Sequence, residues 1–149
     1  MQFDELQSWV EDSFPEAQGK AGNWLIDDGE LTVQILADPS FGRMRIIISL
    51  NKISEVDPSI YSRLLQANFE SRLDARYAIS NGYIWSVFIH PLESLNEDLL
   101  DSGYLQTLTA AQTFGTSYTS GVASFGKGSD PAAAEFAMLQ ELKRTNRLM

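Results

Sequence analysis

The stretch Arg76-Tyr77-Ala78-Ile79-Ser80-Asn81-Gly82-Tyr83-Ile84-Trp85-Ser86-Val87-Phe88-Ile89-His90-Pro91 decides the fold. Two runs rich in β-branched and aromatic residues, Arg76 to Ser80 and Tyr83 to His90, flank Asn81-Gly82, a pair that readily takes the two positive φ angles of a tight hairpin turn. Tyr83, Trp85, Val87 and Ile89 fall on one face of the second strand, and Pro91, which has no amide proton for a ladder, ends it.

Preceding segments repeat the theme. Arg43 to Leu50 alternates Met44, Ile46, Ile48 and Leu50 on one face with Arg43, Arg45, Ile47 and Ser49 on the other. Trp24 to Asp27 and Glu30 to Ala37 read as a second hairpin turning at Asp28-Gly29, which makes Asp27 and Asp28 turn residues in preference to a catalytic carboxylate pair. Three helices precede, divide and follow these strands. Phe3, Leu6, Val10 and Phe14 recur at helical spacing beside Trp9 until Pro15 stops the run. Asp57-Pro58 supplies an N-cap and first-turn pair for a second helix carrying Ile60, Tyr61, Leu64, Leu65, Ala67 and Phe69. Ser94 with Glu97 fits a capping box for a third, in which Leu100, Tyr104, Leu105, Leu108 and Ala111 recur and Gly103 is a candidate kink.

The sequence therefore predicts an α+β domain whose antiparallel, five-stranded sheet is built in the order α-β-β-β-α-β-β-α, plus an extra C-terminal helix. Residues 1–120 form the expected domain. Residues 121–149 are expected to hold a flexible Gly/Ser-rich loop and a helix opening at Asp130-Pro131 and carrying Phe136 and Leu139.

Composition narrows the function. Apolar residues at 44% and charged residues at 21% are ordinary for a globular chain, so disorder is not indicated. Apolar runs such as Ile46 to Ile48 are far below the roughly 18 residues of a membrane span. With Met1-Gln2-Phe3-Asp4-Glu5 lacking a basic leader, a cytoplasmic location is expected. A net charge of -9 disfavours nucleic acid as a partner. Without cysteine, and with His90 the only histidine, thiolate metal sites and histidine clusters are excluded; no metal or cofactor is expected.

Residual chemical motifs are weak. Gly121-Val122-Ala123-Ser124-Phe125-Gly126-Lys127 has phosphate-loop spacing, but Gly128 stands where Ser or Thr must bind magnesium, and the loop is followed by Ser129-Asp130-Pro131 instead of opening directly into a helix. His90 has no serine elbow or cysteine to serve and reads as a strand-end residue bonded to backbone or water. Glu93, Glu97, Asp98 and Asp101 read as an acidic helix start, and Trp9, Trp24 and Trp85 as core.

The element order, with Asp57-Pro58 through Leu64-Leu65-Gln66-Ala67-Asn68, Ala78-Ile79-Ser80-Asn81-Gly82 and Ile89-His90-Pro91-Leu92, resembles the type III secretion chaperone-like superfamily of Tir-chaperone-like proteins. Leu-Leu-x-x-Asn on the second helix is its most recognisable local feature, and the resemblance is nearer to the YbjN-like and cyanobacterial branch than to dedicated effector chaperones. It implies a small acidic protein, often a homodimer, that binds a segment of a client protein. The expected function is thus a non-catalytic, protein-binding chaperone or adaptor, with a small-molecule-sensing or regulatory domain as the alternative and an enzyme of unfamiliar chemistry third.

One feature of the second helix supports self-association independently of the family. Ile60, Leu64 and Ala67 suffice to pack on the sheet, whereas Tyr61, Leu65 and Phe69 form a second stripe about 100° around the helix that needs its own cover. A two-fold partner or the C-terminal helix would supply it, and Tyr61, Leu65 and Phe69 are the predicted dimer or partner interface.

Overall fold

The computed structural model describes residues 1–114 of the 149. The Asn81-Gly82 hairpin forms as predicted: Asn81 has φ 52° and Gly82 φ 79°, and Ser80 pairs with Tyr83. In chain order the elements are α1 (Phe3–Ser13), β1 (Gln18–Lys20), β2 (Asn23–Asp28), β3 (Leu31–Asp38), β4 (Arg43–Lys52), α2 (Ser59–Glu70), β5 (Arg76–Ser80), β6 (Tyr83–Pro91) and α3 (Glu97–Thr113).

The sheet has six strands, not the five expected, in the order β1-β2-β3-β4-β6-β5 with every pair antiparallel. The additional strand is β1. Gln18-Gly19-Lys20 has no apolar alternation and lies wholly exposed, so it carried no strand signal; only its pairing with Asn23, Trp24 and Leu25 makes it one. The chain leaves β4, passes through α2 to the far edge as β5, and returns as β6 into the slot beside β4.

Residues of one sheet face alternate into a core of Trp24, Ile26, Val33, Ile35, Met44, Ile46, Ile48 and Phe88, which packs against Leu6, Trp9 and Val10 of α1 and Leu100, Tyr104 and Leu108 of α3. Leu64 and Ala67 of α2 join Tyr77, Ile84 and Ala110 in a second cluster. All three helices thus cover the same face.

Several local readings change. The β2–β3 turn is Gly29-Glu30, one residue later than expected, because Asp28 still pairs with Leu31 and Gly29 takes φ 67°. Helix α3 is capped by Asn96, whose side chain accepts the Leu99 amide proton at 2.9 Å, instead of by Ser94. On β6 the buried residues are Ile84, Ser86 and Phe88, while Tyr83, Trp85, Val87 and Ile89 face the uncovered side, so Trp85 is half-buried and outside the core. The polar Ser86 disguised the inner face. It is tolerated there because its hydroxyl donates to the Thr107 carbonyl at 2.8 Å. The C-terminal helix and the phosphate-loop-like stretch lie outside the described residues.

Helix α3 runs through Gly103 as one α-helix. The glycine is needed for close approach: a Cβ there would stand 2.7 Å from the Phe88 ring, inside van der Waals contact. Gly103→Ala should therefore destabilise the protein by about 1–3 kcal/mol in urea unfolding despite alanine's better helix propensity. Adding Phe88→Leu should recover part of that loss by making room for the new methyl group.

Candidate functional site

Two surfaces combine exposure with apolar character. The first lies between α2 and the edge strand β5, where Tyr61, Leu64, Leu65, Tyr77, Ala78 and Ile79 line a groove of about 220 Å³. Helix α2 is started by Asp57, whose carboxylate accepts the Ser59 amide proton at 2.9 Å; that bond, and then the Ser59 hydroxyl, hold the carboxyl below its usual range. Leu64 and Ala67 turn inward, leaving Leu65 69% and Phe69 89% exposed.

Of the predicted interface residues, Tyr61 and Leu65 meet in this groove. Tyr61 is half-buried, packs against the smaller core cluster and donates its hydroxyl proton to the Ile53 carbonyl at 3.1 Å. Phe69 lies two helical turns beyond Tyr61 and does not line the groove. Leu73 and Ile79, 45% and 51% exposed, extend the apolar surface. Sequence reasoning missed both, because Ile79 read as an ordinary strand residue and its incomplete cover depends on where α2 ends.

The motif Leu64-Leu65-Gln66-Ala67-Asn68 acquires a physical role here. Asn68 stands one turn after the buried Leu64, and its side chain pairs with the backbone of Tyr77 on β5: Nδ2 donates to the carbonyl at 3.0 Å and Oδ1 accepts the amide proton at 2.8 Å. A side-chain amide thus does for β5 what a neighbouring strand would do at that residue. Gln106 of α3 fastens the approach to the strand, its Oε1 accepting the amide protons of Asp74 and Ala75 at 2.7 and 3.0 Å.

The second surface is the sheet face opposite the helices. Leu25, Tyr83 and Ile89 are 39%, 36% and 46% exposed on it. Near one end, Gly22, Leu36, Ala37, Asp38, Phe41, Arg43 and Arg45 line an open depression of about 600 Å³, with Phe41 at the β3–β4 turn 80% exposed.

Candidate chemical groups are occupied structurally. Asp28 accepts the Tyr104 hydroxyl proton at 3.2 Å; burial, then the nearby Asp28 charge, raises the Tyr104 hydroxyl well above its ordinary range. Asp27, adjacent on the same strand, points to the opposite face, so the two carboxylates do not form a pair. His90 has Nδ1 2.8 Å from the Pro91 carbonyl and stacks on Phe88, as a strand-end histidine should. Buried Asp101 accepts the Trp9 indole proton at 3.0 Å. Among the described residues no three acidic or histidine side chains gather where they would hold a metal, and no helix is long and apolar enough to cross a membrane.

No family model matches the chain, and neither does any curated protein. Solved structures do. A chain of the HopA1–SchA chaperone–effector complex superposes with a TM-score of 0.57 at 15% identity, covering 75% of this chain and 92% of its own length. A chain of the ExsC–ExsE complex gives 0.49 at 15% identity, over 59% of this chain and 68% of that one. The protein accordingly shares an α+β fold with that chain of a chaperone–effector complex, built here on a six-stranded sheet.

Replacing Asn68 by alanine should leave the Tyr77 backbone groups without these partners and cost about 1–3 kcal/mol. Amide exchange should report it as faster exchange at Tyr77, with the β2–β3 amides changing only as far as global stability falls.

Proposed function

We propose that this protein is a non-catalytic, chaperone-like adaptor that holds a segment of another polypeptide on its uncovered sheet face and self-associates through α2 and β5. The observation that carries this reading is the one-sided architecture: three helices seal one face, while the other presents Leu25, Tyr83 and Ile89 to solvent. Apolar side chains left exposed on an uncovered sheet face are a feature of protein-binding regions. The fold likeness to a chain from a chaperone–effector complex supports the same direction.

Self-association through the first surface is the second part of the reading. Leu65, Phe69 and Ile79 lie exposed beside an edge strand, and a two-fold contact would cover both copies' stripes with one another. Tyr61 would contribute the groove wall, with Leu65 and Phe69 making the contact.

In light scattering coupled to gel filtration the wild type should be a dimer, and Leu65→Asp a monomer that keeps its helical signal, because a desolvated charge is costly only in the dimer. A wild-type monomer at high micromolar concentration would refute this interface. For the sheet face, a polypeptide co-purified from the native host should be retained by Glu11→Gln and lost with Ile89→Asp. Retention by Ile89→Asp would refute the sheet-face assignment, and native mass spectrometry showing a bound small molecule without polypeptide would favour a sensor.

A further inference from the structure

The bare sheet face differs in charge from the rest of the molecule. Its register places Lys20, Arg43, Arg45, Lys52 and Arg76 on it against Asp27 and Asp38, so 5 - 2 gives +3 on a chain whose net charge is -9. One row across the strands reads Lys20, Asn23, Leu36, Arg45, Ile89, and the neighbouring pair on β4 and β6 is Arg43 with Pro91. Cations are thus set among apolar side chains on the surface that the helices leave open.

Arg43 and Arg45 are both exposed, and neither guanidinium makes a hydrogen bond or ion pair with another of the described residues. The obvious neutralising group, Asp38, pairs with Arg43 in the ladder, yet its carboxylate is engaged by its own turn. It accepts from the Ser40 hydroxyl and from the Ser40 amide at 2.9 Å, and these bonds, the hydroxyl first, hold it below its usual range. Two residues apart on one strand, the arginine Cα atoms stand about 7 Å from one another, the spacing of alternate residues in an extended peptide. Leu36 and Phe41 supply apolar contact in the same depression.

We propose that the segment received by this face is acidic, with carboxylate side chains interspersed among apolar ones, and that Arg43 and Arg45 select it. The proposal rests on the reading of the sheet face as a polypeptide-binding surface and adds the chemistry of the partner. Guanidinium groups bind carboxylates through paired, charge-assisted hydrogen bonds, while Leu36, Phe41 and Ile89 meet the intervening apolar side chains. The remaining negative charge of the protein does not forbid this, since at physiological salt it is screened beyond about 8 Å and the contacting arginines dominate. That same charge disfavours a long polyphosphate chain, which would run from the small basic face onto the acidic remainder.

The probes are three short fluorescein-labelled peptides with the same leucine and valine positions and with glutamate, glutamine or lysine between them, titrated against the full chain by fluorescence polarisation. The glutamate peptide should bind at least ~10-fold more tightly than the glutamine one, and the lysine peptide more weakly still. The double variant Arg43→Glu, Arg45→Glu should reverse the preference between glutamate and lysine peptides, a gain that only a folded protein can show. Arg63→Glu, on α2, should leave the ranking unchanged.

Equal binding of all three peptides, a wild-type preference for lysine, or no binding by any of them overturns the acidic selectivity. The Ile89→Asp result with the native partner then still decides whether the face binds polypeptide at all. If the double variant instead lowers the oligomeric state in light scattering, a second copy covers the face and the proposal fails.

Discussion

The approach of α3 to β6 at Gly103 and Phe88 is the constraint on which the rest depends. Phe88 belongs to β6, which lies between β4 and β5, so the ring sits where the two halves of the sheet join. Because residue 103 carries no side chain, the helix settles close enough for Tyr104 to reach Asp28 and for Ser86 to reach the Thr107 carbonyl. Trp9 then closes on Asp101 from α1, and Tyr77 reaches the Ala110 carbonyl with its hydroxyl at 2.7 Å. A helix held farther out would leave these polar groups buried without partners, each at a cost of about 1–3 kcal/mol. Closeness at one glycine therefore underwrites polar contacts spread over α1, β2, β5 and β6.

Holding all three helices of the described residues on one face has a consequence for the other. A two-layer arrangement leaves the second sheet face to be polar or to be covered by something else, and here Leu25, Trp85, Val87 and Ile89 are apolar while the arginines of β4 are cationic. The edges are handled differently from one another. Strand β1 is only three residues long and contains Gly19, which limits what can add to it. Strand β5 is pinned from the helix layer by Asn68 and Gln106 but still presents Ile79 beside Leu65. The molecule thus has one blunted edge and one edge with an apolar companion helix, which is why the proposed self-association falls at the latter.

Much of this was legible in the residues themselves. Asn81-Gly82 dictated a hairpin because both positions must take positive φ, and the alternation of Met44, Ile46 and Ile48 set the inner face of β4 because side chains in a strand repeat every second residue. The exposed stripe of α2 was readable from the 3.6-residue repeat alone, and Leu65 and Phe69 are exposed accordingly. Local stereochemistry and periodicity decide such features without any distant partner.

Tertiary structure decided the rest, for reasons equally physical. Strand β1 exists only because β2 offers it a hydrogen-bonding edge; Gln18-Gly19-Lys20 has no pattern of its own. Which face of β6 turns inward was settled by α3, whose Thr107 carbonyl satisfies Ser86 and so permits a serine where the sequence favoured Trp85 and Val87. Gly103 read as a candidate kink until the Phe88 ring, 15 residues earlier in the chain, showed why a methyl group cannot fit. The clustering of Lys20, Arg43, Arg45, Lys52 and Arg76 on one face of an acidic chain is likewise a product of register between strands far apart in sequence. Period and turn chemistry act over a few residues and can be read directly, whereas edges, face selection and charge grouping arise only when separate segments meet.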